Sequence, residues 1–160
     1  MPIYNRFFRD ASGKLIPAGL REVGAFFDIE VHVPPPIAQI LTNQGKPLPS
    51  PVRGVAIVDT GATMTCVNES ILQGLGLNPI GIVLAGTASG PTPQNIYPAR
   101  LVFPAEGFGI DFQGVAGVNL AGQMIPLNPP QQVIALIGRN ILERWVLTWN
   151  GPGGFWTVAM

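Results

Sequence analysis

The sequence predicts an all-β protein. Glycine and proline together make up 37 of its 160 residues, and both interrupt helices. Residues 27–33 alternate between apolar and polar side chains, which is typical of a strand with one buried face. Short apolar runs bounded by turn residues recur along the rest of the chain and indicate strands joined by many turns. The length suits a single domain with a substantial core.

The charge of the chain is low and balanced. Nine basic and nine acidic residues cancel, and charged residues make up only 11% of the sequence. No basic surface is therefore expected to hold nucleic acid or an anionic membrane. No apolar run is long enough to span a bilayer, and the first residues lack the apolar stretch of a signal peptide. We expect a soluble, cytoplasmic protein with neither nucleic acid nor membrane as a partner.

The chain has one cysteine, Cys66, and one histidine, His32. A single cysteine excludes an internal disulfide framework and a multi-cysteine zinc site. Cys66 has apolar neighbours, so we expect a small core residue. His32 falls on the polar face of the strand at 27–33, which favours a solvated histidine over a catalytic base.

The N-terminal third of the chain contains an arm, a strand and a proline-rich segment. Residues 1–21 mix arginines with phenylalanines and predict an N-terminal arm, with the folded domain over 22–160. The strand at 27–33 ends at three consecutive prolines. Six prolines in residues 34–51 predict a long surface loop.

The remaining elements follow from apolar runs and turn residues. Val55–Val58 predicts a strand buried on both faces, and Asn68 is placed to cap a short helix through Leu72. Further elements are predicted in order as a long hairpin at 80–103, weaker strands within 108–120, a buried strand at 133–137, a helical turn at 141–145, and strands at 146–149 and 155–158. We expect the last strand to be an exposed edge in a single chain, available to a partner.

Asp59 is the carboxylate whose position most favours chemistry. It directly follows a buried strand and precedes Thr60-Gly61, so it leaves the core at a tight turn. A carboxylate in that position needs donors such as the Gly61 N–H to satisfy it. The other eight carboxylates fall on predicted strand surfaces, loops or helix surfaces. A turn aspartate that caps its own loop is the simpler interpretation of Asp59 taken alone.

A second segment repeats the pattern around Asp59. Ala56-Ile57-Val58 precedes the turn at Asp59, and Ala135-Leu136-Ile137 precedes a turn at Gly138-Arg139-Asn140. Both are predicted as buried strands that end in a turn and lead toward a short helix. The second copy has no carboxylate at its turn.

Together these two segments resemble the retropepsin-type aspartic proteases, the single-domain enzymes of retroviruses and their relatives. The resemblance rests on residues 57–63 (IVDTGAT) and 136–142 (LIGRNIL) and on the order of the elements, and it covers residues 22–160. It implies the acid protease fold, a closed retropepsin-like barrel with a flap hairpin and one or two short helices. Viral members often carry an acidic residue at the position of Thr63, as the partner of the arginine at the position of Arg139. Its absence here leaves the partner of Arg139 open.

The resemblance also implies an activity and its residues. Asp59 is implied to be the catalytic residue of an aspartic-type endopeptidase, a hydrolase that needs no metal or organic cofactor. Because the chain carries one such aspartate, a homodimer is implied to supply the second. The active-site support is implied to come from Thr60, Gly61, Gly138 and Arg139, and the substrate contacts from Gly61, Ala62, Thr63 and the flap residues Thr87, Ala88, Ser89 and Gly90. The substrate is expected to be an extended peptide or protein with hydrophobic residues at the cleavage site.

Three alternatives remain beside this interpretation, of which one is a zymogen-like state with the arm of residues 1–21 blocking the cleft. A dimeric peptide-binding or scaffold domain of the same fold would keep the architecture without catalysis. Residues 59–63 also fit the phosphate-binding hairpin Asp-x-Gly-x-Thr of actin-like and sugar-kinase ATPases. Those folds need two lobes and alternating strands and helices, which this chain does not show.

Overall fold

A computed structural model describes residues 2–87 and 90–160 of the chain. The strands are β1 (Ile3–Phe7), β2 (Phe26–His32), β3 (Val52–Val58), β4 (Cys66–Asn68), β5 (Gly81–Thr87), β6 (Gly90–Phe103), β7 (Phe108–Val118), β8 (Met124–Ile125), β9 (Gln131–Ile137), β10 (Val146–Asn150) and β11 (Phe155–Ala159). The helices are α1 (Gly19–Val23), α2 (Pro35–Asn43), α3 (Glu69–Gly74) and α4 (Arg139–Leu142). Within the described residues, the protein thus has four short helices where one or two were expected.

Six strands close into a barrel in the order β2-β3-β9-β4-β7-β6. The barrel closes because β6 also pairs antiparallel with β2, through Val31 and Leu101 among others. Closure removes the free edges of these strands. The predicted all-β fold class, a closed barrel with a hairpin, is therefore confirmed by the strand pairing.

The barrel is filled by the alternating side chains that the sequence marks as apolar. Phe27 on β2 is almost fully buried, and its ring contacts Phe103, Trp145 and Trp156 with centroid distances of 5.3, 5.7 and 5.0 Å. Edge-to-face contacts of this kind add to the free energy gained from burial. On the β3 strand, Val55 and Ala56 are buried but Ile57 and Val58 only half-buried, so the expectation of burial on both faces holds for the first half alone.

A separate three-stranded sheet joins the two ends of the chain in the order β1-β11-β10. Residues 3–7 of the predicted arm form its first strand and pair antiparallel with β11, which pairs on its other side with β10. The expectation that residues 155–158 form an exposed edge is therefore wrong. Trp156 and Val158 point into the core and are almost fully buried.

The proline-rich segment contains helix α2 rather than a continuous loop. Pro34 is extended (φ −63°, ψ 150°), and Pro35 lies at the first helical position. The N–H groups in the first turn of a helix have no acceptor within the helix, so proline, which lacks an N–H, is tolerated there. Its ring also fixes φ near the helical value. The prediction of a loop over 34–51 is wrong for residues 35–43, because prolines at a helix start were interpreted as helix breakers.

Candidate functional site

The two repeated segments lie side by side. β3 and β9 pair in parallel, with Ala56 opposite Ala135 and Val58 opposite Ile137. Parallel pairing brings both following turns to the same end of the barrel. The Asp59 N–H donates to the Ile137 carbonyl at 3.0 Å, and the Arg139 N–H donates to the Ala62 carbonyl at 2.9 Å. The internal repeat is therefore a physical pair of turns that brace each other.

Asp59 is half-buried at the start of the first turn. Its Oδ1 accepts hydrogen bonds from the N–H of Gly61 at 2.8 Å and of Ala62 at 3.2 Å. The expected donor, Gly61, is thus in place. The turn positions the carboxylate by backbone donors, which hold it more rigidly than long side chains do.

Gly138 forms the floor under the first turn. A Cβ on Gly138 would lie 2.7 Å from the Thr65 nitrogen and against the Met64 carbonyl group. Gly138 has an ordinary φ of −87°, so space and not conformation requires glycine here. The role of Gly138 in close packing beneath the loop agrees with this geometry.

Hydrogen bonds of Thr65 and Asn140 join the two turns. Asn140 Oδ1 accepts hydrogen bonds from the Thr65 N–H at 2.9 Å and the Thr65 hydroxyl at 3.0 Å. The Thr65 Oγ1 in turn accepts from the Gly138 N–H at 3.2 Å. Sequence reasoning missed both residues as supports. No local pattern in the sequence signals this role, because the hydrogen bonds join residues 75 positions apart.

Arg139 has partners on the first turn. Its Nη1 donates to the Thr60 carbonyl at 3.0 Å and its Nη2 to the Thr63 hydroxyl at 2.9 Å. The guanidinium therefore uses carbonyl and hydroxyl oxygens, which answers the question of its partner that the sequence left open. Thr60 is exposed, with its carbonyl committed to Arg139.

A groove of about 490 Å³ runs between the Asp59 turn and the hairpin β5–β6. Gly61, Ala62 and Thr63 line it together with Asp59, so the structure brings these predicted site residues together. Its other described lining residues are Met64, Cys66, Val83, Leu84, Ala85, Gly86, Gln94, Ala116, Val118 and Leu136. Among the described lining residues, Asp59 is the one charged side chain.

The flap is defined here as β5 with the facing part of β6, residues 81–87 and 90–96. Gly81 pairs with Ile96 and Thr87 with Gly90 at the far end, so the predicted hairpin over 80–103 is confirmed. Gly90 has a φ of 112°, a conformation that favours glycine. Of the predicted flap contacts, Ala88, Ser89 and the side chain of Thr87 lie outside what the structure describes, and Gly90 is not among the described lining residues of the groove.

His32 lies outside the groove, on the barrel surface. Its Nε2 lies 2.9 Å from Glu30 Oε2, and Arg53 Nε donates to Glu30 Oε1 at 2.7 Å. Hydrogen bonding from His32, and then from Arg53, lowers the pKa of Glu30. His32 is thus engaged on the polar face of β2, as its alternation in sequence predicts.

Cys66 lines the groove and is half-buried, so the expectation of a core residue is only partly met. Burial, together with the negative charge of Asp59, raises the pKa of the Cys66 thiol to about 11 from the ordinary value of 9.0. A thiol with so high a pKa carries little thiolate near neutral pH.

We predict that Cys66 resists alkylation. At a pH below 9 its thiolate fraction is lower than that of a free cysteine by roughly 100-fold, so iodoacetamide should modify the folded protein correspondingly slowly. The same protein unfolded in guanidinium is the control and should react at the rate of a free thiol. Mass spectrometry measures the rate of modification in both states. Equal rates in the folded and unfolded protein would contradict a raised pKa of the Cys66 thiol.

Residues 2–87 and 90–160 contain neither a cluster of metal ligands nor a membrane-spanning helix. No group of three or more His, Cys, Asp or Glu side chains could hold a metal ion there. In the same residues, no helix has the length and apolar character that crossing a membrane requires.

Comparisons with known proteins give a likeness in structure but none in sequence. No protein-family model matches the chain, and no curated protein matches it. Among solved structures, the chain is similar to a retropepsin-like aspartic protease from Rickettsia conorii, with 16% sequence identity and a TM-score of 0.41. That match covers 98% of this chain and 91% of the other.

Proposed function

We propose that this protein is an aspartic-type endopeptidase that hydrolyses peptide bonds as a homodimer, with one Asp59 from each subunit. The observation that carries the proposal is the position of Asp59. Its carboxylate is held by backbone N–H groups on a turn that lines a groove, beneath a hairpin. The apolar character of the remaining lining supports an extended peptide with hydrophobic residues at the cleavage site.

The dimer follows from the chemistry of the paired turns. The turn after β9 begins at Gly138, where a two-aspartate site within one chain would need a carboxylate. The backbone of residues 64–65 packs directly against Gly138, which leaves no room for a side chain at that position. A second carboxylate therefore has to come from a second copy of the chain.

Two aspartates about 3 Å apart share one proton, because two like charges at that distance cannot both ionise. The ionised carboxylate takes a proton from a bridging water, and the water oxygen attacks the peptide carbonyl. The protonated carboxylate gives its proton to the carbonyl oxygen. Collapse of the resulting gem-diol breaks the C–N bond. The carboxyl that took the water proton gives it to the leaving amine, and the other carboxylate takes a proton from a gem-diol hydroxyl, which restores the single shared proton.

The other site residues have supporting roles in this proposal. Thr60 stabilises the dyad across the dimer axis, and Arg139 holds the Thr60 carbonyl. Gly61 lets the substrate backbone approach Asp59, with Ala62 and Thr63 beside it. On the flap, Thr87, Ala88, Ser89 and Gly90 contact the substrate backbone as the flap closes.

The proposal predicts a bell-shaped dependence of kcat/KM on pH, with its optimum below neutrality. Both limbs belong to the dyad, because activity needs one protonated and one ionised carboxylate. Hydrolysis of a mixed peptide library, measured over a pH series with and without a statine-type inhibitor, tests this. Dilution should abolish activity as dimers dissociate. Replacing His32 by alanine should leave the bell unchanged, whereas a plateau above neutrality that requires His32 would contradict the aspartic mechanism.

A non-catalytic dimeric peptide-binding or scaffold domain is the second candidate. Such a domain would keep the groove without hydrolysis, so this candidate predicts peptide binding with no cleavage at any pH.

The cytoplasmic location stays a prediction of the sequence.

A further inference from the structure

Glu69, at the start of α3, makes two side-chain hydrogen bonds to one strand of the flap hairpin. Its Oε1 accepts from Asn95 Nδ2 at 2.8 Å and from the Tyr97 hydroxyl at 2.7 Å. Both donors lie on β6 two residues apart, so both point to the same face of that strand. The carboxylate therefore binds one face of β6 at two points.

These two points lie where the flap joins the barrel. Asn95 is within the flap and pairs with Ile82 of β5. Tyr97 lies just beyond the flap, with its ring in the core and 1% exposed, and pairs with Val115 of β7. The Glu69 carboxylate thus connects a flap residue to a residue fixed in the barrel.

The opposite face of the same strand belongs to the groove. Gln94 precedes Asn95 and lines the groove, while Asn95 points away from it toward α3. A rotation of this strand about its axis would move Gln94 relative to Asp59. The hydrogen bonds on the face opposite the groove therefore influence the position of the flap over Asp59.

The neighbouring barrel strand leaves room for this arrangement. A Cβ on Gly117 of β7 would lie 2.8 Å from the Tyr97 ring and 3.1 Å from Glu69 Cγ. The absence of a side chain there lets the carboxylate and the phenol meet. Hydrogen bonds from Asn95, and then from Tyr97, lower the pKa of Glu69, so the carboxylate stays an ionised acceptor into the mildly acidic range.

We propose that Glu69 is a positioning residue for peptide hydrolysis, a latch that holds the base of the flap through Asn95 and Tyr97 and so sets the closed position of the flap over the groove. This inference rests on the proposed function. The latch acts on substrate capture, since Glu69, Asn95 and Tyr97 are not among the described residues that line the groove. Its loss therefore raises KM and leaves the chemical step intact.

Hydrogen exchange of the full-length protein without substrate tests the latch apart from activity. Replacing Glu69 by alanine should speed exchange of the flap amides about tenfold, because two charge-assisted hydrogen bonds are lost. The rest of the barrel should exchange as in the wild type. Glu69→Gln keeps an acceptor oxygen in place and should restore slow exchange. Asn95→Ala removes the flap donor alone and should loosen the flap even if Glu69→Ala fails to fold.

Glu30→Ala is the matched control. It also removes a half-buried carboxylate that is bound by two side chains, but on β2, away from the flap. It should leave flap exchange unchanged. Flap exchange that is unaltered in both Glu69→Ala and Asn95→Ala, or that rises equally throughout the barrel, would overturn the latch.

Peptide hydrolysis provides the second measurement. Glu69→Ala should raise KM about tenfold with kcat nearly unchanged and the pH bell in place, and Glu69→Gln should recover most of the loss. A fall in kcat alone would overturn the positioning role. If the wild-type protein cleaves no peptide, the proposed function fails, while the exchange measurement still decides whether Glu69 holds the flap.

Discussion

Replacing Asp59 by asparagine is expected to abolish peptide hydrolysis and to leave the protein folded. Asparagine has nearly the same shape, and its carbonyl oxygen can still accept the hydrogen bonds from the Gly61 and Ala62 N–H groups. It can neither take a proton from water nor share one with a second aspartate. Since both subunits change together, kcat/KM should fall by about 10³-fold or more.

The control for this variant is Asp28→Asn, an exposed aspartate on β2 away from the groove. It should keep full activity. Circular dichroism and sedimentation should give the same fold and oligomer for both variants, and mass spectrometry should exclude deamidation of the introduced asparagine back to aspartate. Activity retained in Asp59→Asn under these conditions would contradict the aspartic mechanism.

Replacing Gly138 by alanine is expected to destabilise the protein by about 3 kcal/mol, the upper range of overpacking effects. The new methyl group meets the backbone of Met64 and Thr65, which cannot turn aside as a flexible side chain does. For a chain of this size, that cost lowers Tm by about 10 °C. Activity should fall as well, because the turn that carries Asp59 rests on Gly138.

Gly74→Ala is the matched control, since a Cβ at Gly74 meets nothing within 4 Å. It should unfold at or slightly above the wild-type temperature, because alanine costs less chain entropy than glycine in a helix. Urea unfolding followed by tryptophan fluorescence measures both variants. Similar stabilities for Gly138→Ala and the wild type would show that the two turns do not pack as described.

The sequence by itself was enough to predict the candidate acid and most of the strands, but not β1, β4 or β8. Strands and turns depend on local chemistry, so the periodicity of apolar residues and the turn residues indicate them directly. The signals here were the alternation at 27–33, the apolar runs before Asp59 and Gly138, and the glycine-rich turns. The hairpin over 80–103 and the short helix after Asn68 follow from the same signals. Asp59 stood out because a carboxylate directly after a buried strand needs donors, and the turn supplies them.

Only the tertiary structure decided which segments meet. Three contacts join residues that are far apart in sequence. The two repeated segments pair in parallel, β11 lies between β1 and β10, and Arg139 donates to the Thr60 carbonyl. Helix α2 was missed because the first turn of a helix tolerates prolines that its interior excludes. Thr65, Asn140 and Glu69 acquire their roles from partners that no local pattern identifies. A side-chain hydrogen bond depends on where two distant segments are placed, and the closure of the barrel determines that placement.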